Sequence, residues 1–554
     1  MGNIRDEIGR TLKGYVALDS ITNTYRENSI DGFLKEYFES MEYFKENPDD
    51  FGSEKIPGDI HNRSVNWALL RGKGKRTVVF IHHSDVVNVE NYNEYKDYAF
   101  EPDKLGEALE ISSDSLDSEA VDDLQSGNWL FGRGTADMKG GGAIQLSLMK
   151  EISKDEDRIG NIIVLAVPDE ENLSAGMRHG VKILRRLKEK HGLDYKLMIN
   201  SEPHQRVDYT KGMISQGSIA KMNFFVYVKG ILTHAGKVLE GINPSGIMSR
   251  IVARTELNLD FVDEIEGEMS IPPTWVHVKD SKEVYDISTP ESSIGYMNVL
   301  NFSTSPEEIL KKLMAVCVEE SDEYMKKYND ARDIFMEKTN RKTIGDKWPV
   351  HVVTFNELLD LLKEKGDEYY RKYDEFEKKI IDDLRFNKTS FVNANYELVE
   401  YIIKLINRQE MFIVAGMTMP LYPGVSNLFQ EDVPDYLEMI NRFTTREWKQ
   451  EYMNRYYFTG ISDLSYSSLN YDMESTLSQM ENMPLWGKYY DIPFEDIKEI
   501  QMPCINIGPW GKDFHKISER VYREDLYERT PRIIEHVLEH VLKEETIQLN
   551  MKHQ

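Results

Sequence analysis

Cysteine is almost absent: 554 residues hold two, Cys317 and Cys504. A disulfide scaffold needs more, and so does a zinc site built from thiolates. Both are expected as buried small hydrophobes in a reducing compartment. No run of about 18 apolar residues occurs, which argues against a membrane-spanning helix. Met1–Leu18 carries charges throughout and lacks the apolar stretch of a signal peptide. Positive charge is in deficit, with 68 Lys and Arg against 95 Asp and Glu and a net charge of −27. A general nucleic-acid binder needs a positive partner for each phosphate contact. An anionic membrane surface repels such a chain. A cytoplasmic protein that binds neither nucleic acid nor membrane is expected. With 40% hydrophobic and 11% aromatic residues there is enough to fold, and the length exceeds one ordinary core, so two or more domains are expected.

The first part of the chain alternates helical patterns with short apolar runs. Ile4–Leu18 and Ile30–Glu46 have helical spacing. Ser64–Leu70, Thr77–His82, Ile162–Val167 and Tyr195–Asn200 read as strands, with helices at Ala143–Ile152 and Gly176–Lys190 between them. Strands alternating with helices imply a parallel or mixed sheet. Glu107–Gly127 is acidic and serine-rich and is read as a surface loop. Near Ile219 the pattern changes to a strongly alternating strand, Ala220–Lys229, then a helix (Pro244–Leu257), two strands, and a long helix opening at Ser305-Pro306-Glu307-Glu308, where serine caps and proline occupies the first turn. The Lys/Glu/Tyr-rich residues 356–385 read as a solvated helical hairpin. A helix at Tyr396–Asn407 and a strand at Met411–Ala415 are taken as a return to the first pattern. The expected domains are therefore a catalytic-type domain in two parts, 1–218 and 389–554, around an inserted α+β domain, 219–388.

Five clusters of metal-type ligands stand at the ends of expected strands. They are His82-His83-Ser84-Asp85, the glycine-flanked Asp137 in GRGTADMKGGG, Asp169-Glu170-Glu171, Ser201-Glu202-Pro203-His204, and His515-Lys516-Ile517-Ser518-Glu519. A histidine two residues from an aspartate can bind a metal while the acid orients it. Adjacent carboxylates at a strand end repel each other and call for a cation. Singly each is weak: the first has a plain reading as a structural His/Asp pair, and the second as a glycine-rich turn capping the helix that follows. The glycine-rich stretch lacks phosphate-loop spacing, and the acid at its centre would repel phosphate. Together the clusters fall where open α/β sheets bind ligands, at the carboxyl ends of strands.

In order and type the five clusters resemble the di-zinc aminoacylase / acetylornithine deacetylase / succinyl-diaminopimelate desuccinylase family, which also holds glutamate carboxypeptidase. GRGTADMKGG and Pro168-Asp169-Glu170-Glu171-Asn172 carry the resemblance most specifically. Within the family the chain looks most like the arginine-utilisation (RocB-type) branch. The resemblance implies a mixed-sheet α/β catalytic domain with an inserted α+β lid, here enlarged by extra helices. It implies that His83 and Glu202 bind one zinc, Glu171 and His515 a second, and that Asp137 bridges the two. Asp85 would hold the His83 ring, and Glu170 would be the general base. A shared water between two cations ~3.5–4 Å apart is acidified and attacks an amide carbonyl of a small N-acyl amino acid or short peptide. Which of Glu170 and Glu171 is base and which ligand comes from the resemblance alone. Zinc is favoured by the His/carboxylate set, although cobalt and manganese fit the same ligands. His234, after Lys229-Gly230-Ile231-Leu232-Thr233, matches the lid histidine that reaches over the site and that, in dimeric members, comes from the other subunit. A homodimer through the lid is compatible with this.

Two departures stand out. Met297-Asn298-Val299-Leu300-Asn301-Phe302 has no arginine where many members carry one to grip a substrate carboxylate. The helical material over 306–390 is longer than the family lid requires. A rival zinc pattern, His536-Val537-Leu538-Glu539-His540, fits H-x-x-E-H, yet the stretch also reads as an amphipathic surface helix. His204 lies beside Glu202; His61, His179, His191, His277, His351 and His553 have no partner pattern. A non-catalytic binding protein using the same cleft is the alternative reading, and a retained Glu170 argues against it.

Overall fold

The computed structural model describes residues 2–340, 348–470 and 473–543. Residues 341–347, inside the enlarged central segment, and His553 lie outside them. The chain divides into two compact units, one of Met1–Ile219, Pro423–Asn470 and Pro493–Gln554, the other of Ala220–Tyr422 and Tyr471–Ile492.

The first unit is built on a mixed eight-stranded sheet. Its strands lie in the order Phe51–Lys55, Ser64–Leu70, Ile159–Val167, Lys73–His83, Asp194–Asn200, Cys504–Asn506, Lys211–Ser215, Glu451–Arg455. The four from Ile159–Val167 to Cys504–Asn506 run parallel. Their Val, Ile and Leu runs are buried on both faces, as central parallel strands require. One hydrophobic core joins them to helices Gly2–Val16, Lys139–Ile152 and Thr530–Lys543. Helix Ala175–His191 packs against Ser64–Leu70 and Ile159–Val167. Both cysteines are buried free thiols, pushed up to about 12 by burial.

The second unit holds a five-stranded sheet, ordered Thr274–Asp280, Ser292–Asn301, Ala220–Lys229, Met411–Tyr422, Val350–Thr354. Its long helix, Pro306–Thr339, opens with a capping box between Ser305 and Glu308. Helices Phe355–Lys365 and Asp367–Arg385 meet at Gly366, whose φ of 125° suits glycine.

Three expectations change. The strand at 411 runs to Tyr422 and pairs antiparallel with Ala220–Lys229, so it and the helix Phe391–Ile406 belong to the second unit. An all-buried apolar strand fits either sheet, and only the non-local pairing decides. Glu107–Gly127 is a loop only over 112–117: helices Pro102–Ile111 and Ser118–Ser126 take up the rest, the second capped by Asp117 and ended by Gly127 in the left-handed region. The single helix read over 30–46 is two, Ser29–Glu39 and Glu42–Glu46, broken at Ser40-Met41. Among the described residues no helix is long and apolar enough to cross a membrane.

Candidate metal centre

His83 ends one central parallel strand, Glu170 and Glu171 follow the next, and Glu202 lies just beyond a third. Helix Lys139–Ile152 begins directly against these strand ends. A Cβ on Gly141 would stand 2.1 Å from the Ser201 carbonyl oxygen, and one on Gly142 2.7 Å from the His82 ring. The glycine run lets the turn carrying Asp137 reach the strand ends.

Asp137 lies between two histidines. Its Oδ1 is 3.1 Å from His83 Nε2 and its Oδ2 is 3.2 Å from His515 Nε2. Glu202 Oε1 is 3.4 Å from His83 Nε2, and Glu171 Oε1 is 3.0 Å from His515 Nε2. Three donor groups result: His83/Asp137/Glu202, Asp137/Glu171/His515 and His83/Glu170/Glu171, with the donor atoms of each within 4.8 Å of one another. Among the described residues neither His536 nor His540 joins such a group. His204 is buried, and its Nδ1 lies 2.9 Å from the Gly508 carbonyl. His234 belongs to the second unit, where it is exposed and its Nδ1 accepts the Gly236 N–H at 3.0 Å.

The electrostatics are those of a concentrated acid set. Burial pushes Glu202 up to about 8 despite His83. Burial also raises Glu170 well above the ordinary carboxylate range, with Glu171 and Asp463 adding to the shift and His83 opposing it. Hydrogen bonds that the His515 ring donates to Asp137 and Glu171 raise it to about 10. Burial disfavours the His83 cation, but Glu202 and Asp137 outweigh it and the ring is raised.

Asp85 meets the His83 ring chiefly through its backbone. His83 Nδ1 donates to its backbone carbonyl at 3.0 Å, while its carboxylate is 3.7 Å away from that nitrogen. The carboxylate instead accepts the backbone N–H groups of Glu170 and Glu171, each at 3.2 Å. Because a carbonyl accepts only, the Nδ1 proton is fixed and Nε2 is the atom turned to the acids.

Sequence reasoning missed several supporting groups. Glu519, fully buried, accepts the N–H of Gly134 at 2.7 Å and of Asp137 at 3.3 Å, and pairs with Arg133. Arg133 also donates to the His515 carbonyl at 3.0 Å. This ties the Asp137 turn to the His515 turn, where His515 itself has φ 65°. Both residues stood inside the quoted motifs. Asp463, buried, accepts the Ser174 hydroxyl at 3.1 Å; a lone Asp after Gly460-Ile461-Ser462 offered no signal.

The profile of Peptidase family M20/M25/M40 matches residues 113–540, so His83 and Asp85 precede the matched segment. The uncharacterized protein YqjN of Bacillus subtilis is 30% identical over 557 residues, covering 98% of this chain and 97% of the relative. Protein RocB of the same organism is 28% identical over 560 residues, covering 98% and 96%. A succinyl-diaminopimelate desuccinylase of Buchnera aphidicola is 26% identical over 261 residues, 44% of this chain and 59% of that one. Among solved structures, a Staphylococcus aureus tripeptidase superposes with TM-score 0.50 at 13% identity, covering 97% of this chain and 99% of its own. An M20 family metallo-carboxypeptidase of Sulfolobus solfataricus gives 0.50 at 11%, with the same coverage. At such identities the likeness is one of fold.

Proposed function

Since the chain belongs to peptidase family M20/M25/M40, we propose that it is a two-metal hydrolase that cleaves an amide bond of a small N-acyl amino acid or short peptide. The observation that carries this reading is Asp137, whose two oxygens face two histidines, each histidine with a further carboxylate of its own. The donor chemistry fits divalent cations. Four carboxylates and two imidazoles converge there, and the histidines hold protons well above their ordinary range only because acids surround them. Cations in the same positions would replace those protons.

His83, Glu202 and Asp137 would hold one ion; Glu171, His515 and again Asp137 the other. Zinc suits three nitrogen and oxygen ligands per ion, and Co2+ or Mn2+ are the alternatives. When bound, the pair supplies Lewis acidity and lowers the pKa of a nearby water. The rest falls to the chain. Glu170, buried among acids, is a carboxylate with a raised proton affinity, as suits a group that takes a proton from the attacking water and returns one to the departing amine. Asp85 fixes the amides of Glu170 and Glu171 and so the separation of base and ligand. His234 is assigned, on the resemblance alone, to stabilising the tetrahedral oxyanion.

The similarity to RocB over 98% of the chain supports the arginine-utilisation branch and a role in amino-acid (arginine) catabolism. The test combines elemental analysis of protein purified without added metal with a hydrolysis screen of N-acyl amino acids and dipeptides in the presence of zinc. About two metal ions per chain with hydrolysis of one substrate class supports the reading. Bound metal with no hydrolysis across the panel favours the binding-protein alternative, and absence of metal overturns both. His234→Ala with unchanged kcat removes the lid histidine from the mechanism.

A further inference from the structure

Asp169 sits in the left-handed region (φ 70°) directly before Glu170 and Glu171. A non-glycine residue keeps that conformation only where its surroundings hold it. Here the side chains that hold its N–H and its Oδ1 come largely from the first 63 residues, upstream of the matched family segment. Glu27 Oε2 accepts the Asp169 N–H at 2.9 Å. Arg63 Nη1 donates to Asp169 Oδ1 at 2.5 Å and to Glu27 Oε1 at 2.9 Å. The other edge of the guanidinium is held by Asp59, at 3.0 Å from Nε and 2.6 Å from Nη2. Asp169 Oδ2 then accepts the Ala175 N–H at 3.1 Å, and its carbonyl the Ser174 N–H at 2.7 Å.

All four side chains are buried, Arg63 at 4%, Glu27 at 3% and Asp169 at 1% exposure, with Asp59 at 6% for its side chain. One cation therefore serves three carboxylates inside the fold. The planar fork of an arginine can do this along two edges at once; the single ammonium of a lysine cannot. Asp85 holds the next two amides. Three successive amides of the turn are thus held, and the side chains of Glu170 and Glu171 are grouped with the histidines.

We propose that Arg63 and Glu27 form a positioning clamp that fixes the backbone of Asp169 and through it the aim of Glu170 and Glu171, an inference resting on the function proposed above. Neither residue belongs to a donor group; both act through Asp169. The test compares wild type with Arg63→Lys and Glu27→Gln. Zinc is titrated into the metal-free full-length proteins by calorimetry, with kcat, KM and thermal unfolding recorded alongside. The expected result is folded variants whose weaker zinc site loses ~10–100-fold in affinity, with kcat falling by a similar factor and KM little changed. A lowered melting temperature with wild-type zinc affinity and kcat in both variants is the signature of structural support alone and overturns the clamp. Should Arg63→Lys not fold, the same readings on Glu27→Gln decide. Wild type that takes up none of zinc, Co2+ or Mn2+ overturns the functional reading and the clamp with it; wild type that takes up one of them, with variants indifferent to that ion, overturns the clamp only.

Discussion

Asp85 reaches Glu170 through the backbone, its Oδ1 accepting the Glu170 N–H at 3.2 Å while its own carbonyl holds the His83 ring. One residue thus sets both a proposed ligand and the proposed base. Asp85→Asn keeps the carbonyl but offers the two amides one acceptor and one donor in place of two acceptors. The expected outcome is a ~10–100-fold loss in kcat with the His83 tautomer retained. Steady-state kinetics together with imidazole nitrogen NMR checks this. A lost Nδ1 proton would mean that the carboxylate, and not the carbonyl, orients the ring.

The adjacent acids separate by their neighbours. Glu171 lies 3.0 Å from His515, whereas Glu170 is grouped with His83 and Glu171 deeper in the fold. Glu170→Gln is expected to keep its metal and lose ~10²–10⁴-fold in kcat, the usual range for a general base. Glu171→Gln is expected to lose metal. Metal content by mass spectrometry beside turnover distinguishes them; the reverse pattern exchanges the two roles.

Gly141 has no room for a side chain, since a Cβ would stand 2.1 Å from the Ser201 carbonyl oxygen. Backbone on both sides cannot give way cheaply. Gly141→Ala is expected to cost at least the ~1–3 kcal/mol of an overpacked core. It should also displace Glu202, one residue beyond the contact. Chemical denaturation and zinc affinity measure the two effects separately, and an unchanged affinity would detach the helix start from the site.

Acid sensitivity has a local test far from the metal centre. Glu7, on the first helix, takes Lys150 and Arg10 at 2.8 Å each. Burial opposes its charge, but these contacts outweigh it and hold the carboxyl below its ordinary value of 4.5. The folded pKa is the lower one, so the stabilisation is complete above pH 4.5 and is lost as pH falls through the folded value. Because Lys150 and Arg10 are partly exposed, the effect stays under about 1 kcal/mol. Glu7→Gln should flatten the difference in unfolding free energy below pH 4.5 and leave the slope at neutral pH untouched.

The candidate centre was legible because its residues sit beside strong local signals. His83, Glu170, Glu171 and Glu202 each stand at or just past the end of an apolar run, and Asp137 sits in a glycine-rich turn before a helix. Such runs read as strands without knowledge of their partners. Their carboxyl ends converge wherever the sheet is parallel. The missed helices over 102–126 had their caps in plain sight, but acidic and serine-rich composition masked them.

The sequence by itself determined the candidate ligand types, their order along the chain, and the buried strands that present them. Only the tertiary structure decided which distant groups bond to the turns that carry those candidates. Arg63 and Asp169 lie 106 residues apart, and Glu519 caps the turn of Asp137 from 382 residues away. It also decided to which sheet Met411–Tyr422 belongs. The physical reason is the same in each case. A charge pair or a strand ladder between remote segments leaves no periodicity in either segment, because its energy exists only once the chain has brought them together.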